Sequence, residues 1–546
     1  MIRLHKEVII VKYTRSLSRL VKISAALSLS AGIAAGCGKE AADPSPAPST
    51  GTASLAPSAG PVNLSYWVGI RASAARSVKN YGELAFYQEL EKKTGVKAVF
   101  QHPAVGTEKE QFNLLIVSGK LPDVIEYDFT TYSGGPEKAI SDKIIVPLND
   151  LLEKHAPNLS KFLKDNPNVK KEITTDEGHM YVFPAVGIGK TDVSSGLMLR
   201  KDWLDELGLS VPETIEEWTH VLRQFKEKKG VKVPLTLNLG ELDTDRFNGA
   251  YGIGAGFYKD KNQVKYGPYQ PAYKDYLAQM NAWYKEGLLD PDFATQDNKS
   301  KDAKITNGTT GAFSANIGSG MGTYLNAKKD DPVYNLVAAQ HPVLKKGDQP
   351  RFFTAASQYR GDGSAAITPA NKNPVETAKW FDYLYSDEGH MLKTFGIEGL
   401  TYKMENGYPK YTDLIMNNPD KLSIGDAMSK YLRVAAPAPG FVGDARYSEQ
   451  YMNLPQQKEA SATFNQYSKN LLDTSLGRIT ETPEEGQELS SIMAEINTYR
   501  QEMMLKFIMG GDSLDNFDKY IQRLKSMKVE RAIAIKQAAL DRYNKR

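Results

Sequence analysis

The sequence predicts an α/β fold, with strands and helices alternating along a chain long enough for more than one core. Three observations carry this. The chain has 546 residues, beyond the size at which a single hydrophobic core stops growing. From residue 62 onward, short apolar runs alternate with segments of helical periodicity. Gly and Pro punctuate the joins between them, as in sheets built from strand–helix–strand units.

The elements follow in order. Val62, Leu64 and Tyr66 alternate with Asn63, Ser65 and Trp67, the period of two that marks a strand. Residues 81–94 place Leu84, Tyr87 and Leu90 on one stripe and stop at Gly95, a helix-end signal. The run 96–100 is a second strand, 109–118 a second helix and 124–127 a third strand. Strand, helix, strand, helix, strand at this spacing predicts a parallel sheet covered by helices. Further on, 215–228, 272–286, 375–395 and 513–543 read as helices. In the last of these Leu514, Phe517, Tyr520, Ile521, Leu524 and Met527 form the apolar stripe. In open α/β sheets the ligand crevice lies at the carboxyl ends of strands, which draws attention to 69–71 and 128–132.

The first 61 residues have a different composition. Six Lys/Arg precede thirteen uncharged residues (23–35) and then Gly36-Cys37, the pattern of a secretory signal. The apolar run is shorter than the ~20 residues of a membrane span. Cys37 is the chain's one cysteine, so no intrachain disulfide forms. Its place after Ala34-Ala35-Gly36 resembles the lipobox of bacterial lipoproteins, with Ala34 where Leu is usual. That resemblance implies cleavage after residue 36 and lipidation at Cys37, holding the protein on the outer face of the cell membrane. Residues 38–61 are dominated by Pro, Ala, Ser and Gly and read as a semi-extended tether. The net charge of +3 belongs to the leader. Without its six basic residues and Glu7 the chain is about two charges negative, with no concentrated basic face for nucleic acid.

Catalytic signatures are sparse. The seven histidines form no His-Glu-x-x-His, and neither a Gly-x-Ser-x-Gly elbow nor a phosphate loop occurs. Gly252, Gly254 and Gly256 suit a bend better than a dinucleotide fingerprint. Asp290, Asp292, Asp297 and Asp302 lack the Gly and terminal Glu of a calcium loop and read as a solvated loop. No catalytic residue, metal or cofactor is expected.

Three stretches carry a resemblance to a family. FNLLIVSGKLPDVIEYDFTTYSGGPEKAI (112–140) is similar to the first-lobe core of large extracellular solute-binding proteins. HMYVFPAVGIGKTDVSSGLMLRKDWLDELGLSVPETIEEW (179–218) is similar to their first hinge crossing. VETAKWFDYLYSDEGHMLKTFGIEGLTY (375–402) and the 507–543 tail resemble the aldouronate, or LplA-like, lipoprotein group of Gram-positive bacteria.

The resemblance implies a two-lobe periplasmic-binding-protein-like fold, each lobe a sheet flanked by helices, closing on a sugar. Lobe 1 would comprise 62–187 and 358–435, and lobe 2 188–357 and 436–546, with crossings at 185–192, 355–360 and 435–440. It implies a monomer that binds an oligosaccharide, one containing uronic acid, and hands it to the permease subunits of an ABC importer. Trp67, Arg71, Tyr127, Asp128 and Tyr132 would face the cleft from lobe 1. Glu241, Phe257, Phe313 and Asn316 would face it from lobe 2, with Tyr359 and Arg360 at the hinge. Aromatic rings suit the C–H faces of sugars, and Arg71, Arg351 and Arg360 suit a uronate.

Other readings stay open on the residues alone. Trp67 and Tyr127 could be core, and Arg360 part of an inter-strand ion pair. Asp128 and Glu241 could serve a glycosidase or lyase, which needs two carboxylates about 5 to 9 Å apart. A carrier for a non-sugar solute is the third possibility. The loop 174–179 is poor in oxygen ligands, so no structural calcium is expected there.

Overall fold

The computed structural model describes residues 62–188, 193–351, 358–434 and 437–546. The leader, Cys37, the tether and parts of all three expected crossings (189–192, 352–357, 435–436) lie outside the described residues.

The strands, in chain order, are β1 (Val62–Val68), β2 (Val96–Gln101), β3 (Val124–Glu126), β4 (Phe183–Gly187), β5 (Ser195–Arg200), β6 (Leu235–Thr236), β7 (Phe257–Asp260), β8 (Gln263–Tyr266), β9 (Ala312–Asn316), β10 (Leu336–Ala339), β11 (Tyr359–Ile367), β12 (Tyr402–Glu405), β13 (Tyr408–Tyr411) and β14 (Gly440–Val442). Six of them form one sheet in the order β14-β4-β11-β3-β1-β2, and four form another, β10-β5-β9-β6. The pairs β7-β8 and β12-β13 are separate hairpins.

The expected parallel core of the first sheet is present, with β1 parallel to both β2 and β3. β11 then enters antiparallel between β3 and β4. Leu64 and Tyr66 are buried as the alternation predicts, but Trp67 and Val68 are buried too. Helices cover both faces of this sheet, which erases the polar side that a half-exposed strand would show. Asp123, just before β3, accepts from the Ser65 N–H (2.7 Å) and hydroxyl (2.6 Å). This fixes β3 beside β1.

Helix boundaries follow local chemistry. The predicted 81–94 helix is a 3-10 turn (Tyr81–Glu83) followed by an α-helix (Ala85–Thr94), ended by left-handed Gly95. The predicted 375–395 helix is two, Pro374–Tyr383 and Asp387–Phe395, because Ser386 caps the second. The predicted 513–543 helix breaks at Lys528, whose φ is +64°. Ile215–Lys228 runs as expected from a Thr214–Glu217 capping box.

Two cores result. One surrounds the first sheet, from Leu64 to Leu392. The other packs the four-stranded sheet against Trp218 and Trp283 and against the C-terminal helices. Helix Pro483–Met509, 27 residues and so about 40 Å long, belongs to the second core. Its first turn reaches helix Gly135–Ser141 of the first. A Cβ on Gly486 would lie 2.7 Å from the Gly134 Cα, so the approach requires glycine.

One expected boundary is corrected. β14 pairs in parallel with β4 inside the first sheet, so the chain has not left lobe 1 at 436. Tyr447 and Tyr451 still pack on a cluster with Phe395 and Tyr411, whereas Ala460 and Phe464 pack with β9 and β10 residues. The passage to the second sheet therefore follows helix Ala445–Tyr451, and 437–440 leads into a lobe 1 strand.

Candidate functional site

At the carboxyl ends of β1 and β3 the first lobe opens into a cavity of about 520 Å³, within the size range of small-molecule pockets. Its walls are the 67–72 stretch, the 126–128 stretch, Glu108 at the start of helix Glu108–Ser118, Asp362 of β11 and Arg433. Parallel strands end together there, and their loops converge, as the topology predicts.

An aromatic stack lies along one wall. Tyr127 lies flat on Phe112, with centroids 3.9 Å apart and planes 13° from parallel. Trp67 meets both rings at an angle, 6.0 and 6.1 Å away. Trp67 is nearly buried while Tyr127 is half-exposed. Trp67 is thus a nearly buried ring of the cavity wall that supports the ring the cavity exposes.

The floor is a buried ion pair. Arg433 donates to Glu126 Oε1 at 2.7 Å, and the Tyr66 hydroxyl donates to Oε2 at 2.9 Å. Arg433 also donates to the Tyr87 hydroxyl (3.2 Å) and the Pro437 carbonyl (3.4 Å), and lies over the Tyr81 ring. Burial alone would depress the Arg433 pKa. The surrounding phenols and the Glu126 carboxylate outweigh it and hold the group well above its ordinary value. Burial, then Glu126, pushes the Tyr66 phenol up. Nearby His102 takes the Val68 carbonyl on Nδ1 (2.8 Å) and the Tyr81 N–H on Nε2 (3.0 Å). Both bonds at once require a neutral ring, and burial lowers its pKa accordingly.

Asp128 is held from three sides. It accepts from the Thr130 N–H (3.1 Å) and hydroxyl (2.6 Å) and from Arg478 (3.0 Å). Gly361 lies against it, since a Cβ there would come within 2.6 Å of Oδ2. Arg478 also lies over the Tyr359 ring. At the rim Arg71 pairs with Asp362 at 2.8 Å, both half-exposed.

The remaining expected cleft residues sit elsewhere. Tyr132 packs on the core side of Phe112 and donates to Asp142 at 2.8 Å. Phe313 and Tyr359 are core, 0% and 1% exposed. Phe257 packs half-buried on Tyr266 of the β7-β8 hairpin. Glu241 closes a capping box with Asn238 and binds the buried ammonium of Lys301. Arg360, in β11, is outside the cavity lining. Asn316 is exposed at the end of β9, opposite Ser195. Arg351 lines a different cavity, about 460 Å³, with Gly252, Leu344 and Asn470.

The glycine bend is real: Gly252 has φ +71°, and Gly254 is so close to Gly267 that a Cβ on the latter would overlap its carbonyl. The solvated-loop reading fails for Asp290, which is fully buried between the Thr236 hydroxyl (2.6 Å) and Lys304 (2.7 Å). In loop 174–179, Asp176 is held by Arg542 at 2.5 Å and Arg546 at 2.8 Å. Glu137 receives Thr175 and His179. Among the described residues, no group of three or more His, Cys, Asp or Glu is placed to hold a metal ion.

The two sheets and the cavity at strand ends define a class. Residues 75–391 match the family model of the bacterial extracellular solute-binding proteins, and the chain belongs to that family. It is a family of binding proteins, not of enzymes. The chain is 26% identical to the fructooligosaccharide ABC transporter substrate-binding protein FusA of Streptococcus pneumoniae, over 86% of this chain and 89% of that one. It is 22% identical to lipoprotein LipO of Bacillus subtilis (79% and 84%). It is 24% identical to the polygalacturonan/rhamnogalacturonan-binding protein YtcQ of Bacillus subtilis (58% and 63%). Among solved structures, the calcium-free alginate-binding protein AlgQ2 superposes with a TM-score of 0.75 at 26% identity, over 89% of this chain and 99% of that one. FusA bound to kestose superposes at 0.71 with 22% identity, which supports the two-lobe fold.

Proposed function

We propose that this protein is the solute-binding component of an ABC importer for oligosaccharides, capturing its ligand against the lobe 1 cavity and delivering it to membrane permease subunits. The observation that carries this reading is the pairing of an aromatic wall, Tyr127 on Phe112, with the carboxylates of Asp128 and Asp362, each held by an arginine. Sugars present C–H faces to such rings and hydroxyls to such carboxylates. The relatives named for fructooligosaccharides and for polygalacturonan support a carbohydrate ligand and leave neutral and uronic-acid sugars both in view. The LipO likeness and the residues around Cys37 support a lipid anchor on the outer membrane face, and the carrier acts as a monomer.

Calorimetric titration of the purified chain with a panel of neutral and acidic oligosaccharides tests the reading. Binding without release of new reducing ends or unsaturated products is expected, and Tyr127→Ala should weaken it by about tenfold or more, equivalent to ~1.4 kcal/mol. Turnover of the sugar, or binding to peptides alone, would overturn it. Loss of lipid labelling in Cys37→Ser tests the anchor.

A further inference from the structure

The cavity's charge bears on which sugars it admits, and the argument rests on the oligosaccharide reading above. Its lining carries four carboxylates (Glu108, Glu126, Asp128, Asp362) against two guanidinium groups (Arg71, Arg433). Both guanidinium groups are committed: Arg71 to Asp362 at 2.8 Å and Arg433 to Glu126 at 2.7 Å. Behind the lining, Arg478 is bound to Asp128 at 3.0 Å, and the buried ammonium of Lys393 donates to the Ala438 and Pro439 carbonyls (2.6 and 2.9 Å). Counting the lining groups together with Arg478, four carboxylates face three guanidinium groups, so the lining keeps a surplus negative charge. Glu108 directs Oε1 to the Gly106 N–H, which does not neutralise it.

We infer that the cavity selects a neutral stretch of oligosaccharide and rejects one that carries a uronate there. A sugar carboxylate is recognised through an open guanidinium fork. Here it would have to displace a protein carboxylate already in place while facing the negative surplus. Sugar hydroxyls face no such conflict. They donate to carboxylate oxygens, which only accept. Asp128 and Asp362, both lining the opening, are suited to fix two such hydroxyls.

The test uses the full chain and several oligosaccharide backbones, each presented as a uronate and as its neutral methyl ester or neutral parent sugar. In titration calorimetry the neutral member of a binding pair should bind at least about tenfold tighter, and added salt should narrow the gap. Asp362→Asn removes one negative charge and releases Arg71. It should strengthen uronate binding by about tenfold relative to the neutral partner. A uronate that binds as tightly as its neutral counterpart, or an equal response of both to Asp362→Asn, would overturn the inference. A panel without any binder would defeat the oligosaccharide reading itself, and a circular dichroism melt of the variant separates loss of fold from loss of selectivity.

Discussion

The two lobes treat their polar residues differently. In the six-stranded lobe, the carboxylates and guanidinium groups at the strand ends border an opening: Arg71 with Asp362 at the rim, Glu126 with Arg433 at the floor. In the four-stranded lobe the corresponding groups are absorbed into the framework. Glu241 caps a short helix and holds buried Lys301, Asp290 is sealed against Lys304, and Phe313 is core. An ion pair therefore says little by itself about binding. Its depth and its access to a cavity decide whether it supports the fold or meets a ligand.

Substitutions sharpen that contrast. Arg433→Ala should have the largest effect, about 3–5 kcal/mol of unfolding free energy, because Glu126 would be left as a buried unpaired charge. A Glu126→Gln/Arg433→Met double substitution should recover most of that stability in denaturant melts. If the single change were harmless, the floor would be wetter than its burial implies.

Phe313→Ala should cost about 3–5 kcal/mol as well while leaving relative ligand preferences unchanged in titrations. A change in preference would return Phe313 to the cleft.

A smaller effect depends on pH. His341 is fully buried beside Arg246, and burial first, then the Arg246 charge, hold its pKa at about 3 against an ordinary 6.5. Below 6.5 the unfolded chain takes up a proton that the folded chain refuses. This contribution to stability is complete above 6.5 and is lost as pH falls toward 3. Between pH 6.5 and 5 the loss is about 2 kcal/mol, and His341→Gln should flatten that slope in thermal melts relative to the parent chain.

Arg71→Ala should change stability least, by under about 1 kcal/mol, since the pair with Asp362 is half-exposed. It should nevertheless alter sugar affinity. A stability loss without any affinity change would make the rim pair purely structural.

Much of the site was legible where strand logic applied. Residues 69–71 follow a strand whose period-two pattern is plain and residue 128 a short apolar run, and parallel strands bring those ends together. Glu126 and Arg433 were not legible as a pair, because 307 residues separate them and no local signal links them. Asp362 escaped for a similar reason: β11 returns antiparallel into the first sheet, and nothing near Tyr359 announces that. Tyr132 was placed in the cleft by its position after the third strand as well as by family likeness, and Phe257 and Phe313 by family likeness and aromatic type. The structure uses all three in packing, the commonest fate of a large ring. The boundary at 435/436 failed because Pro437, Pro439 and Gly440 read as a linker but lead into β14.

The position of β11 has a consequence for the order in which the molecule can assemble. Residues 62–126 supply three neighbouring strands early in synthesis, yet β3 is joined to β4 only through a strand that begins at Tyr359. β4 in turn meets its outer neighbour only once Gly440–Val442 has been made. Until then the early strands present an open edge, which invites pairing with other chains. Contacts so distant in sequence also slow folding. A chain of this design must be kept from aggregating for most of the time it takes to make, and its rate of folding will be governed by the arrival of its middle rather than its beginning.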